Sequence, residues 1–429
     1  MEQLRDKAVT VGVQLNNRPD FPSAMEELRS LADACELEVV GELTQKAERV
    51  NPSLYMGSGK IKELQEVMAE SNATVAIFND ELSPSQIRNL EAKLDCRVID
   101  RTILILDIFG SRAKTREAKL QVEVARLQYM LPRLIGLRES LGRQGGGGGS
   151  GLSNKGSGET KLELDRRRIE DRIAALQADL EKLVSRRQIQ RKQRSKNEVP
   201  VVCLVGYTNA GKSSLMNALI QKYTPGSGKE VLAKDMLFAT LETSVRSIQL
   251  PDRKTFLLAD TVGFISQLPH HLIKAFRSTL EEVTEADLLL HVVDCSDPEE
   301  GKRIEVTNET LHELGAGEIP SLYVYNKADL KTDQLYPRVE DNILYLSAHR
   351  SSGIEELVQL ISERIFTDYK EYEILIPYDQ GRLVSYFNEN AHIHSMSHEE
   401  DGTRLILTCR ETDYDKHREH FTILNEGVY

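Results

Sequence analysis

No pair of cysteines at the spacing of a metal or redox site occurs in this 429-residue chain. The cysteines present, Cys35, Cys96, Cys203, Cys295 and Cys409, lie far apart. That argues against a disulfide scaffold and fits free thiols in a reducing cytosol. No apolar run approaches the roughly 18 residues that a membrane-spanning helix needs. The N-terminus, MEQLRDKAV, lacks the charged, apolar and small-residue order of a secretory signal. A cytoplasmic location is expected. Positive charge is in deficit overall, with a net charge of −12, which taken alone argues against a nucleic-acid partner.

The distribution of charge reverses that reading. Residues 111–196 carry 21 Lys and Arg against 10 Asp and Glu, so one basic segment sits inside an acidic protein. Such a segment can follow phosphates while the acidic parts stay clear of them. A solvated Lys/Arg-rich helix pair is the plainer alternative.

The length calls for several domains, and 40% hydrophobic residues suffice for their cores. The expected fold class is multidomain α/β: an N-terminal α/β domain, an antiparallel helical hairpin, a larger second α/β domain and a small α+β C-terminal domain. In residues 1–111, VTVGVQL, LEVVGEL, ATVAIFN and CRVID read as strands between helices, giving a largely parallel sheet. Ser83-Pro84 reads as cap and first turn of one of those helices. Residues 112–197 read as two helices with narrow apolar seams. The first seam is Leu120, Val124, Leu127, Leu131 and Leu134, and the second is Ile169, Ile173, Leu176, Leu180 and Leu183. Pro132 is expected to kink the first helix. A glycine-rich tip, about residues 142–160, would sit roughly 40 Å from the hairpin base at about 1.5 Å per residue. Residues 198–369 form a second α/β domain. Residues 370–429 form a tail with a strand, a helix, a hairpin around Asp401-Gly402 and a last helix.

The second α/β domain carries the clearest chemistry. VVCLVGYTNAGKSSLMNAL is a strand, a G-x4-GK-S loop and a helix, spanning Gly206, Tyr207, Thr208, Asn209, Ala210, Gly211, Lys212, Ser213 and Ser214. Glycines let backbone N–H groups surround phosphate oxygens, and the helix N-terminus adds partial positive charge. Lys212 is placed to reach the β- and γ-phosphates, and the Ser213 hydroxyl to ligate Mg²⁺. Phe238, Ala239, Thr240 and Leu241 follow, with Thr240 as the expected switch hydroxyl on Mg²⁺. TFLLADTVG ends an apolar strand in Asp260, Thr261, Val262 and Gly263. Asp260 would hold the Mg²⁺ hydration shell and the Gly263 N–H would sense the γ-phosphate. Lys212, Thr240 and Gly263 are the expected catalytic set. Asn326, Lys327, Ala328 and Asp329 end another strand, and the Asp329 carboxylate can accept both guanine N1–H and N2–H, which adenine cannot offer as a pair. Ser347, Ala348 and His349 bring backbone toward guanine O6. These elements in this order predict a GTP hydrolase that binds GTP and GDP. Phe264 occupies the position of a water-orienting glutamine, so unassisted turnover should be slow. Asn209 either helps hold a K⁺ ion near the β,γ-bridge or braces the loop.

The basic hairpin, GSGETKLELDRRR, GYTNAGKSSLMNAL, FATLETS, DTVGFISQLPHHLIKAFRSTLEE, HVVDCSD and NKAD together resemble the HflX family of bacterial ribosome-associated GTPases over essentially the whole chain. The family's usual tip reads close to GGxGxRGPGET, and here Ser153-Asn154-Lys155 and Ser157 replace its Arg and Pro forms. The resemblance implies binding to the large (50S) ribosomal subunit and its rRNA, ribosome-stimulated hydrolysis, and splitting of ribosomes stalled by stress or antibiotics. The implied RNA-facing residues are Arg143, Gly145, Gly146, Gly147, Lys155, Lys161, Arg166 and Arg167. A glycine tip has no side-chain bulk and can enter a narrow RNA-walled cavity. A passive linker is the alternative. Two other readings stand beside this one: a switch that binds a protein partner through the hairpin, and an RNA-remodelling ATPase acting through the N-terminal domain. A monomer is expected. GSGK at 57–60 reads as a helix start more readily than as a second phosphate loop, since Leu54 stands where that loop needs glycine. His392, His394, Met396 and His398 alternate and should share one strand face.

Overall fold

Four short strands, each followed by a helix, build the first unit. They are β1 (Lys7–Leu15), β2 (Glu38–Ala47), β3 (Val75–Phe78) and β4 (Arg97–Asp100). The helices are α1 (Phe21–Ala34), α2 (Ser58–Ser71), α3 (Pro84–Leu94) and α4 (Arg101–Arg112). The computed structural model describes residues 5–16, 20–144, 155–196, 199–224, 237–238, 243–267, 269, 272, 282–331 and 335–426, and, within the two long hairpin helices, side chains for 116–133 and 163–183. The strand order β2-β1-β3-β4 is parallel throughout. β1 is apolar on both faces because helices cover both. The Ser83 hydroxyl accepts from the Gln86 N–H and the Gln86 side chain returns to the Ser83 N–H, a reciprocal cap that starts α3. Gly57 caps α2 and Lys60 pairs with Glu63 at 2.8 Å, so GSGK is a helix start.

Helices α5 (Arg116–Gln144) and α6 (Lys155–Lys196) form the hairpin. Glu123 meets Arg172 at 2.8 Å and Asp179 meets Arg116 at 3.5 Å, so early residues of one helix face late residues of the other. The pair is antiparallel as expected. Two details differ. The helices reach Gln144 and restart at Lys155, so Gly142, Gly156 and Gly158 are helical rather than part of the tip, and residues 145–154 lie outside the described ones. Pro132 lies inside α5. The more buried stripe of α5 is also not the expected seam. Ala118, Val122, Ala125 and Tyr129 are buried in the core that holds α1 and α4 of the first unit. Tyr129 donates to Asp100 at 2.6 Å and Arg133 reaches the same carboxylate at 3.3 Å. A two-sided helix hides its second stripe from a search for one seam, and its base is therefore anchored to the first unit.

The second unit is a seven-stranded sheet in the order β10-β11-β9-β8-β5-β7-β6. Its strands are β5 (Val201–Val205), β6 (Ser244–Gln249), β7 (Thr255–Asp260), β8 (Leu288–Asp294), β9 (Ser321–Asn326), β10 (Arg338–Glu340) and β11 (Ile343–Tyr345). Helices α7 (Lys212–Tyr223), α8 (Glu300–Leu314) and α9 (Ile354–Ile365) cover it. Only the edge pairs β6–β7 and β10–β11 are antiparallel. One apolar cluster runs without a break from Leu28, Ile105 and Phe109 of the first unit to Val205, Phe264 and Leu289 of the second.

The tail is an antiparallel sheet, β13-β14-β12-β15. It comprises β12 (Tyr369–Ile376), α10 (Gly381–Asn390), β13 (His392–Glu399), β14 (Gly402–Arg410), α11 (Glu411–His417) and β15 (Thr422–Glu426). The closing strand β15 pairs with β12 and was not expected after the last helix. A register shift between Ile393 and Ser395 inserts an extra residue, so the alternation of His392, His394, Met396 and His398 is broken and they do not share one face. Among the described residues no cluster of metal-binding side chains occurs. Among them also, no helix is long and apolar enough to cross a membrane.

Candidate functional site

The loop after β5 is shaped by two glycines. Gly206 has φ +139°, and a Cβ there would stand 2.2 Å from the Val292 carbonyl oxygen. Gly211 has φ +93°, and its Cβ would stand 2.2 Å from Asn326 Nδ2. No side chain fits either position. Asn209, between them and exposed, takes the left-handed conformation at φ +62°, which asparagine tolerates. Ala210 and Thr208 are buried.

Lys212 opens α7 with its ammonium turned into the loop. Nζ donates to the Gly206 carbonyl at 2.9 Å and the Tyr207 carbonyl at 2.7 Å. Burial lowers its pKa to about 8, against the opposing pull of Asp260. The Ser213 hydroxyl donates to Asp260 Oδ2 at 2.6 Å. A hydroxyl and a carboxylate side by side are the hard oxygen donors that suit Mg²⁺. Ser214 is the next residue of α7. Thr261 is fully buried and donates to the Leu204 carbonyl at 2.6 Å, which ties the end of β7 to β5. Gly263 lies hard against the loop: a Cβ would come within 2.8 Å of Lys212 Nζ and of Thr208 Cα. Phe264 continues as a backbone bridge, its N–H donating to the Gly206 carbonyl at 3.2 Å and its carbonyl accepting from the Thr208 N–H at 2.8 Å. Its ring is buried beside Val262 in the core shared by the two units.

The residues expected to recognise the base meet at the other end of the loop. Asn326 Nδ2 donates to the Ala210 carbonyl and Oδ1 accepts from the Ala348 N–H, both at 3.0 Å. Lys327, at φ +63°, donates to Asp294 at 2.7 Å. Ala328 is buried below them. Asp329 accepts from the Ser347 hydroxyl at 2.6 Å, while His349 is exposed. Thus residues from four separate loops are locked together before any nucleotide enters.

Some expected residues face elsewhere, and others are outside the described residues. Ala239, Thr240 and Leu241 are outside the described residues. Phe238 is 2% exposed and its ring packs edge-on against Phe109 of α4, with centroids 4.7 Å apart. Its side chain therefore faces the first unit, as an apolar ring beside an apolar core should. Gly145, Gly146 and Gly147 lie outside the described residues, as do the side chains of Arg143, Lys155 and Lys161. Arg166 and Arg167 are exposed on α6 and paired with Glu170 at 2.8 Å and Glu163 at 3.7 Å. Such surface pairs hold little energy and exchange readily for phosphate.

Sequence reasoning missed the contribution of the first unit. Glu27 accepts from the Tyr207 hydroxyl of the loop, Arg101 donates to the Ser266 carbonyl at 3.0 Å, and Arg112 donates to the Leu237 carbonyl beside Phe238. A signal existed: Glu27 interrupts the apolar stripe of Ala24, Leu28 and Leu31 on α1, and a charge on a buried stripe requires partners.

Four family descriptions match in chain order: GTP-binding GTPase N-terminal over residues 22–110, GTP-binding GTPase Middle Region over 112–194, 50S ribosome-binding GTPase over 201–327, and HflX C-terminal domain over 336–418. A curated GTPase HflX from Caldanaerobacter subterraneus subsp. tengcongensis is 44% identical, over 95% of this chain and 93% of its own. The chain belongs to the HflX family of GTPases. A relative from Escherichia coli, also called GTPase HflX, is 41% identical over 93% of this chain and 92% of its own. A solved SsGBP–GDP complex is similar over 83% of this chain and 98% of its own at 24% identity and a TM-score of 0.46, too loose a likeness to carry geometry across. As an HflX-family member the chain is a phosphate-loop enzyme that hydrolyses GTP.

The lowered Lys212 pKa has a measurable consequence. Phosphate oxygens favour the ammonium, so nucleotide binding should draw a proton onto Lys212 whenever the free loop has lost it. Affinity for GTP should be level below pH 7 and fall as pH rises through about 8. Calorimetric titrations at pH 8.5 in buffers of different ionisation enthalpy should report proton uptake. Titrations with no buffer dependence and flat affinity to pH 9 would contradict the protonation change.

Proposed function

We propose that this HflX-family GTPase binds the large ribosomal subunit through its cationic hairpin and N-terminal unit, and uses GTP to split stalled 70S ribosomes. One observation carries the reading: the base of the basic hairpin is packed into the N-terminal unit, and that unit shares a continuous core with the phosphate loop and Phe264. A particle held by the hairpin would thus be coupled mechanically to the nucleotide site. The family description of residues 201–327 as a 50S ribosome-binding GTPase supports the same partner. The cytoplasm, where ribosomes are, is the matching location, and a single copy of the chain suffices for the reading.

In this reading Ser213, Thr240 and Asp260 would hold Mg²⁺, which would supply charge neutralisation to the phosphates. Lys212 and the loop N–H groups position those phosphates, and the Gly263 N–H meets the γ-phosphate. Phe264 has no group to orient water and is buried, so a surface outside the chain must complete the site for fast turnover. Asn209, exposed at the loop crest, is proposed to hold K⁺ at the β,γ-bridge. Asp329, with Ser347 and Ala348, selects guanine. The proposed RNA contacts are Arg143, Lys155, Lys161, Arg166, Arg167 and the glycine tip.

The deciding experiment measures GTP turnover with and without purified large subunits, in KCl and in NaCl. At least about a tenfold stimulation is expected, with apparent affinity falling steeply as salt rises. Deleting Gly145–Gly149 should leave intrinsic hydrolysis unchanged and impair splitting. Stimulation of only a few per cent would point to a protein partner for the hairpin instead. Equal rates in the two salts would remove the K⁺ role.

A further inference from the structure

Glu27 is 4% exposed and lies where three segments meet. Its carboxylate accepts hydrogen bonds from the Arg101 guanidinium, the Tyr207 hydroxyl and the Ser266 hydroxyl. Arg303 of α8 approaches to 3.9 Å and lies over the Tyr207 ring, 4.2 Å from its centroid. Tyr207 is the first residue after Gly206 in the phosphate loop, and Ser266 is three residues beyond Gly263. The two segments also bind each other, since the Ser266 N–H donates to the Tyr207 hydroxyl oxygen at 2.7 Å. Arg101 adds a bond to the Ser266 carbonyl at 3.0 Å and is itself oriented by Asn79 at 3.0 Å. One carboxylate from the first unit therefore ties together the two stretches that must flank a γ-phosphate.

We propose that Glu27 is a positioning residue for GTP hydrolysis, supplied to the nucleotide domain by the N-terminal unit. It sets the spacing between the phosphate loop at Tyr207 and the Gly263–Ser266 segment. There is no slack to absorb an error in that spacing. A single added carbon at Gly263 would already crowd Lys212 Nζ and Thr208 Cα at 2.8 Å. Displacement of reacting groups by about 1 Å can cost a hundredfold in rate. An interface serving adhesion alone has no use for a buried ion pair, which contributes little net stability over apolar packing. Nor would adhesion account for both hydroxyl partners coming from the two nucleotide-flanking stretches. Burial, and then Glu27, raise the Tyr207 pKa, so its phenol remains the donor through the assay range and the contact is not a pH switch.

The test uses the full chain and four variants: Ser266→Ala, Tyr207→Phe, Glu27→Gln and Glu27→Ala. Ser266→Ala removes a donor to Glu27, Tyr207→Phe removes a donor to Glu27 together with the acceptor of the Ser266 N–H, and both leave the Glu27–Arg101 pair intact, so they answer the question even where Glu27→Ala lowers stability. Single-turnover GTP hydrolysis, GDP affinity and Tm are read for each. Ser266→Ala and Tyr207→Phe should slow turnover about ten- to a hundredfold, with GDP affinity within about twofold and Tm nearly unchanged. Glu27→Gln should recover part of the rate lost in Glu27→Ala. The double variant Glu27→Ala/Ser266→Ala should be no slower than Glu27→Ala, because both remove one contact. Turnover within twofold of the parent in both hydroxyl variants would overturn the proposal. So would turnover, GDP affinity and Tm declining in parallel, which is the mark of a merely structural contact.

Discussion

Lys212→Ala should slow GTP turnover by about a hundred- to a thousandfold, with GTP affinity weakened in parallel. The ammonium is buried and faces two carbonyls, at 2.9 and 2.7 Å, of the loop whose N–H groups are proposed to surround phosphate. Because the site is already arranged, no reorganisation cost is incurred when charge develops on the transferring phosphoryl group. Alanine removes that charge and the ammonium's two hydrogen bonds, while the Gly206 and Tyr207 carbonyls keep backbone donors, the Phe264 N–H at 3.2 Å and the Ala210 N–H at 3.4 Å. The backbone bridge between Tyr207 and Phe264 is independent of the side chain, so the loop itself should persist. Phosphate release under single-turnover conditions, with circular dichroism to verify folding, checks this. A folded variant within tenfold of the parent would show that Lys212 is not the principal phosphate contact.

The second large effect is one of specificity. Asp329→Asn should weaken GTP binding by about a thousandfold or more and make xanthosine triphosphate the better ligand. In the proposed site guanine would present two N–H donors to this position, and a carboxylate can accept both. An amide offers one oxygen and one NH₂, so one donor faces another donor. Xanthine has a carbonyl in place of the 2-amino group and restores the match. The Ser347 hydroxyl donates to Asp329 Oδ1 at 2.6 Å, and Arg350 lies 3.8 Å from Oδ2, so the carboxylate is oriented before the base arrives. Asn326, which secures the loop through Ala210 and Ala348, is untouched by the change. Titrations with fluorescent GTP and XTP measure the exchange. Unchanged preference for GTP would mean that Asp329 does not read the base edge.

Much of the proposed nucleotide site could be read from the sequence because its expected chemistry is confined to short stretches. A glycine that must take φ +93°, a lysine beside it and a serine next on the helix are dictated within three residues. The parallel sheet of the first unit was legible too, since a strand such as β1, buried on both faces, reads as a near-continuous apolar run. Other features depended on context. The glycines at 156 and 158 fall within α6 although glycine disfavours helices. The extra residue near His394 that flips the alternation of β13 has no signature in HIHSMSHE. The stripe of α5 that grips the first unit was masked by the second stripe that meets α6.

The sequence by itself determined the reaction, the base and the cationic arm, because each rests on residue types at local spacing. Only the tertiary structure decided how those parts are joined. Glu27 meets Tyr207 across 180 positions and Ser266 across 239. No local propensity records such a pairing. A lone buried carboxylate announces that it must have partners, but which ones it finds depends on how two separately built sheets pack their apolar faces together.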